Sequence, residues 1–157
     1  MTTQPTSAPT PTARDEHAAR LRAAGLRVTQ PRLAVLGALA AAPHSPVDPV
    51  VRAVRSQLGS VSVQAVYDVL RVLNATGLVR RIQPTGSVAR YEARVGDNHH
   101  HVVCRSCGAI ADVDCAVGYT ACLTAADDAG YEIDEAEVIY WGRCPECAAA
   151  ASPASGG

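Results

Sequence analysis

Two Cys-x-x-Cys turns, Cys104–Cys107 and Cys144–Cys147, constrain this chain more than any other feature. If the four thiolates hold one ion, the 36 residues between the pairs must travel out and return, so the segment folds as one closed unit. Four sulfurs in a tetrahedron are the arrangement zinc prefers for a structural site, because no coordination position is left open for chemistry. Gly108, just after the first pair, and Pro145, inside the second, suit tight ligand-bearing turns. Two separate redox pairs or buried thiols are the alternative reading.

Three histidines, His99, His100 and His101, run directly into the first pair. On a strand, alternate side chains share a face, so His99 and His101 can serve one site while His100 points away. Glu92 and Asp112 flank this run and could complete a nitrogen and oxygen ligand set, which suits Fe(II), Mn(II) or Zn(II). His44, in a Pro43-His44-Ser45-Pro46 turn far upstream, could add a ligand from the other half of the chain. A lone loop histidine is usually just solvated.

The formal charge of −1 conceals a polarity along the chain. Residues 1–91 carry 11 Arg and four acids, whereas residues 92–157 carry three Arg and 11 acids. Lys is absent, and Arg suits planar, two-pronged contacts to phosphate and guanine. A basic first half and an acidic, ligand-rich second half read as a polyanion-binding module joined to a metal-holding one. No run approaches the roughly 20 apolar residues of a membrane span, and the first residues have no signal-peptide pattern. A cytoplasmic protein is expected, where paired Cys-x-x-Cys turns favour metal over disulfides.

The pattern predicts α+β architecture: an N-terminal winged helix-turn-helix followed by a small α/β unit. Residues 1–13, rich in Thr, Pro, Ser and Ala, are expected to be a disordered tail. The winged helix occupies 14–92, a hinge 93–98, the metal-binding domain 99–148, and a second disordered tail 149–157. Helices are expected over Glu16–Ala24, stopped by Gly25, then from Thr29 as cap with an apolar stripe of Leu33, Leu36, Leu39 and Ala40, then over Val47–Leu58. The fourth, about Ser62–Thr76, buries Val66, Val69, Leu70 and Leu73 and exposes Gln64, Tyr67, Asp68 and Arg71. Leu78–Ile82 and Val88–Glu92 read as a hairpin. Gln64, Tyr67 and Arg71 would then face the major groove, and Arg80, Arg81 and Arg90 would hold the DNA backbone. A helical bundle with solvated arginines is the bland alternative. In the second half, strands are expected at His99–Val103, Ala109–Val113 and Glu132–Trp141, with a helix over Ala116–Ala129.

Five segments together resemble the Fur (ferric uptake regulator) family of metal-dependent repressors. They are Gly25-Leu26-Arg27-Val28-Thr29-Gln30-Pro31-Arg32, Gln64-Ala65-Val66-Tyr67-Asp68-Val69-Leu70, Gly77-Leu78-Val79, Arg90-Tyr91-Glu92 and His99-His100-His101-x-x-Cys104-x-x-Cys107-Gly108. The stretch from Gly96 to Gly118 looks most like the actinobacterial FurA/CatR branch, associated with peroxide response and catalase-peroxidase genes. The resemblance implies a homodimer, with 99–148 as its small α/β dimerisation domain, that binds palindromic operator DNA when metallated. It places a structural zinc on Cys104, Cys107, Cys144 and Cys147, and a regulatory Fe(II) or Mn(II) on His44, Glu92, His99, His101 and Asp112, one of each per subunit. Asp at position 112 resembles the peroxide-sensing members, in which a histidine ligand is oxidised; iron sensors more often carry Glu there. A further metal site of some members would fall on Asn98, Tyr119 and Ala136, which cannot supply its ligands. Cys115 and Cys122 lie outside the four-thiolate set and read as buried thiols. Iron- or zinc-uptake control is the rival within the family. A metal hydrolase or thiol oxidoreductase fits poorly, since neither an open metal position nor an unligated Cys-x-x-Cys remains. A zinc-held interaction module without DNA is the third reading.

Overall fold

The computed structural model describes residues 11–84, 86–96, 99–114, 127–133 and 137–151. Two compact units emerge, Met1–Ile82 with Arg90–Val95 and Gln83–Ala89 with Gly96–Gly157.

The first unit contains helices α1 (Ala13–Ala23), α2 (Gln30–Ala41), α3 (Val47–Leu58) and α4 (Val63–Ala75), then strands β1 (Arg80–Ile82) and β2 (Arg90–Glu92). α1 starts earlier than the composition of the first residues suggests. Thr12 Oγ1 accepts from the Asp15 amide at 3.2 Å while the Asp15 carboxylate accepts from the Thr12 amide at 3.1 Å, a capping box that satisfies two end donors at once. The Thr12 hydroxyl and amide also hold the Asp15 carboxyl below its ordinary range. Thr29 sits at the cap position of α2, but its side chain makes no capping bond.

α1 and α4 both end in the same way. Gly25 and Gly77 adopt left-handed φ of 71° and 69°, and the amides of Leu26 and Leu78 reach back to Leu21 and Leu73 at 2.9 Å. This explains why β1 is shorter than the expected Leu78–Ile82. The Leu78 and Val79 amides are spent on the Leu73 carbonyl and cannot join a ladder.

α2 is the centre of this unit, packing against α1, α3, α4 and β2. It buries Leu33, Ala34, Val35, Leu36, Ala38 and Leu39, a wider band than one stripe, while Ala40 is exposed. Val50, Val54, Val66, Leu70 and Leu73 close the core from α3 and α4, with Val69 half-buried. Aliphatic side chains fill this core without any Phe.

The second unit is a three-stranded sheet of order β4-β3-β5, built from β3 (His99–Cys104), β4 (Ile110–Asp114) and β5 (Ile139–Gly142), followed by the short helix α5 (Pro145–Ala151). β4 runs antiparallel to β3 and β5 parallel to it. β5 is shorter than the expected Glu132–Trp141, because its ladder begins only where Ile139 meets His101. Glu132 and Ile133 are irregular. Most of the helix expected over Ala116–Ala129 lies outside the described residues, as do Asn98, Cys115, Tyr119, Cys122 and Ala136; Ala129, at φ 51°, and Gly130 form a turn closed by the Tyr131 amide on Asp128 O at 2.9 Å. At the other end, α5 extends into the expected tail. Its alanines have the strongest helix propensity, and Pro145 suits a first turn.

Candidate metal centres and nucleic-acid interface

In the second unit, β3 delivers Cys104 at its end and a tight turn brings Cys107 back beside it. The Cys104 amide donates to the Ala109 carbonyl at 2.8 Å, and the Gly108 amide donates to Cys104 O at 2.9 Å. Parallel pairing of β3 with β5 then carries Cys144 to the same place, with the Arg105 amide bonded to Gly142 O at 2.8 Å. One sulfur from each of the four cysteines lies within 4.8 Å of every other. The Cys107 and Cys144 sulfurs are 3.7 Å apart. A tetrahedron with metal–sulfur bonds of about 2.3 Å has edges of about 3.8 Å, so this spacing fits zinc. Amide N–H groups of Cys107 and then Cys144 lower the Cys104 thiol to about 5, and the Cys144 and Cys107 thiols push Cys147 up to about 12.

On the same sheet, the register decides the histidines. Residues 99 and 101 share one face, and Asp112 stands directly across from His101. Asp112 Oδ1 lies 3.7 Å from His101 Nε2 and 3.9 Å from His99 Nε2, and the two imidazoles meet edge to face at 4.9 Å. Cross-strand and diagonal neighbours on one face are within reach of such side chains. His100 leaves from the opposite face, its ring 6.1 Å from that of Tyr140. All three histidines are buried. Two imidazoles and one carboxylate thus converge as candidate nitrogen and oxygen ligands.

The first unit holds a second convergence. His44 Nε2 and Glu92 Oε2 lie 3.0 Å apart and are buried. The turn between α2 and α3 takes His44 through a left-handed φ of 56°, which His tolerates better than most residues. Ser45 pairs with Tyr91 as an isolated antiparallel bridge, placing the turn beside β2 and therefore beside Glu92.

Two basic side chains of this unit, Arg71 and Arg81, gather between α4 and β1. Gln64, Tyr67, Asp68, Arg71 and Arg81 line an open depression of about 380 Å³, with Leu70, Asn74 and Tyr91 as its floor and rim. Asp68 accepts from Gln64 at 3.2 Å and from Arg71 at 3.4 Å. Exposed pairs of this kind are worth only about 0–1 kcal/mol, so Asp68 holds Arg71 weakly. By the pleat, Arg80 and Arg81 leave β1 on opposite faces, and Arg80 stands across from Glu92. Arg90 points its Nη1 at the His44 carbonyl, 3.1 Å away. Sequence reasoning gave no sign of Arg20, whose Nη2 donates to Leu78 O at 3.1 Å and Ala93 O at 3.0 Å, fastening both ends of the hairpin to α1. Contacts to backbone carbonyls so far away in sequence leave no motif.

A winged helix with a polar, exposed α4 face, carried with a four-thiolate centre and histidine–carboxylate ligand groups, defines a metal-responsive transcriptional regulator. The chain belongs to the ferric uptake regulator family, whose description matches residues 23–141. It is 74% identical over 121 residues to ferric uptake regulation protein 1 of Mycolicibacterium fortuitum, covering 77% of this chain and 75% of that one. Over 132 residues it is 66% identical to the transcriptional regulator FurA of Mycobacterium tuberculosis, covering 84% and 90%. Among solved structures, the ferric uptake regulator of Pseudomonas aeruginosa with manganese superposes with a TM-score of 0.67 at 29% identity, over 82% of this chain and 98% of that one. Members of the family regulate transcription and are not enzymes, which disposes of the hydrolase and oxidoreductase readings. No described helix is long and apolar enough to cross a membrane.

Proposed function

We propose that this protein is a metal-dependent repressor that binds palindromic operator DNA as a homodimer when a regulatory Fe(II) or Mn(II) is held by His44, Glu92, His99, His101 and Asp112. The single observation that carries this reading is the chemistry of the two donor classes. Four sulfurs within 4.8 Å of one another form a closed thiolate set, whereas His99, His101 and Asp112 gather harder, exchangeable donors on the sheet face beside it. Zinc on Cys104, Cys107, Cys144 and Cys147 serves structure. Occupancy of the nitrogen and oxygen set serves sensing, and because DNA and metal favour the same conformation, each tightens the other's binding. Gln64, Tyr67 and Arg71 read the major groove, while Arg80, Arg81 and Arg90 belong to the basic wing.

The signal is peroxide. Fe(II), when bound, supplies reducing electrons beside imidazole ligands, and Asp112 provides the carboxylate characteristic of peroxide-sensing members. His44, His99 and His101 then become the oxidisable side chains, and their loss as ligands releases the operators of catalase-peroxidase and other oxidative-stress genes. The name of the Mycolicibacterium relative favours a second reading, iron-uptake control. Anaerobic iron loading followed by peroxide separates the two. Loss of operator binding together with a gain of about 16 Da on a peptide containing His44, His99 or His101 supports peroxide sensing. Loss of operator binding only on iron removal, with unmodified histidines, supports uptake control. If neither Fe(II) nor Mn(II) tightens operator binding by the zinc-loaded protein, the metal-dependent reading fails.

A further inference from the structure

We propose that Arg90 is a positioning residue that couples the metal-ligand turn to the wing, rather than a contact to the DNA backbone. The inference rests on the proposed use of His44 and Glu92 as regulatory-metal ligands.

Three consecutive residues of β2 grip the turn. Arg90 Nη1 donates to His44 O at 3.1 Å, the Tyr91 amide donates to Ser45 O at 2.9 Å, and Glu92 Oε2 meets His44 Nε2 at 3.0 Å. On its other edge, β2 pairs with β1 from Arg80 to Ile82. The turn, β2 and β1 therefore form one continuous piece, with the turn at one edge and the wing strand at the other. Its remaining ends are also tied. Ser45 Oγ donates to Ala42 O at 2.8 Å, and Arg20 bonds the carbonyls at both ends of the hairpin.

The Arg90 contact bears on the ligand directly. His44 is held at φ 56°, a conformation that a non-glycine residue keeps only where its surroundings fix it. A charge-assisted donor on its own carbonyl is such a fixture. Whatever orients His44 as a ligand therefore also sets β2, and the wing follows through the ladder. A side chain committed to this carbonyl is poorly placed to neutralise a phosphate as well.

The two roles predict different losses. A phosphate contact contributes to counterion release and is felt with or without regulatory metal, whereas a positioning residue is felt as metal affinity. Full-length, zinc-loaded Arg90→Met keeps the side-chain stem but lacks the donor. Mn(II) binding by calorimetry is expected to weaken about 10- to 100-fold, as for other groups that orient metal ligands. The slope of log K against log salt for operator DNA is expected to stay at the wild-type value. Wild-type Mn(II) affinity in the variant, with or without a slope reduced by about 0.9, overturns the inference. If Arg90→Met does not fold, hydrogen exchange on the wild-type chain decides the matter. Mn(II) is expected to raise protection of the Tyr91 and Ser45 amides, and protection confined to residues 99–112 overturns it. A wild-type chain that binds no Mn(II) beyond its zinc defeats the functional reading itself, a result distinct from either of these.

Discussion

Removal of zinc from the four-cysteine centre is expected to unfold the second unit and leave the first folded. The first unit contains nearly all of the buried apolar side chains among the described residues, from Leu21 and Leu36 to Leu73 and Ile82. The described part of the second unit buries Val103 and Cys104 together with three histidines. Full burial of one Val contributes about 1.5–3 kcal/mol. Zinc in a structural thiolate site contributes about 10–16 kcal/mol near neutral pH, comparable to or larger than the roughly 5–15 kcal/mol net stability of a whole domain. Loss of the metal therefore removes the main closure between the end of β3 and the start of α5. Cys107→Ser isolates this effect, because Cys107 is exposed and its replacement leaves no cavity. Amide exchange read by mass spectrometry is the assay. In the chelated protein and in the variant, peptides covering 99–114 and 139–147 should exchange freely, while those covering 30–58 stay protected. If metal analysis shows zinc gone and the sheet remains protected, the assignment of zinc as the staple of this unit is wrong.

Strand parity makes a paired expectation: His101→Gln and Asp112→Ala should each lower Mn(II) affinity about 10-fold or more, whereas His100→Gln should leave it unchanged, as measured by calorimetry on zinc-loaded protein. At the recognition face, Arg71→Gln should reduce the slope of log K against log salt by about 0.9 per phosphate lost, with the fold intact by circular dichroism; an unchanged slope excludes a phosphate contact there. Zinc uptake by the chelated protein, whose unfolded second unit returns its thiols to the ordinary value of 9.0, should release about four protons at neutral pH, counted by calorimetry in buffers of different ionisation enthalpy; a count of about three means that the metal-free site stays folded with Cys104 already ionised. The sign for stability follows from the same competition: protons and zinc contend for the sulfurs, so zinc-linked stability rises with pH toward the ordinary thiol value of 9.0 and is lost as pH falls.

Much of the first unit was legible because its determinants are local. Gly25 and Gly77 mark helix ends by their backbone freedom, and the 3.6-residue spacing of Val66, Leu70 and Leu73 separates a buried face from Gln64, Tyr67 and Arg71. The expectations failed where a hydrogen-bond partner outside the segment sets the boundary. The Leu73 carbonyl takes the amides that would have lengthened β1, and β5 starts only where β3 offers a partner. At Thr12 the signal was present as the Thr-x-x-Asp spacing, but the composition of the preceding residues obscured it.

Donor chemistry is local: four thiolates in two turns, alternate histidines on one strand face, and a basic first half joined to an acidic second are all present in the amino-acid order. These follow from residue type, spacing and the period of a strand, all of which operate over a few residues. Tertiary structure alone decided which distant groups meet them. Antiparallel register sets Asp112 across from His101, parallel pairing carries Cys144 to Cys107, and the bridge between Ser45 and Tyr91 turns Arg90 toward the His44 carbonyl. Register is a property of two strands together, so neither segment encodes it alone.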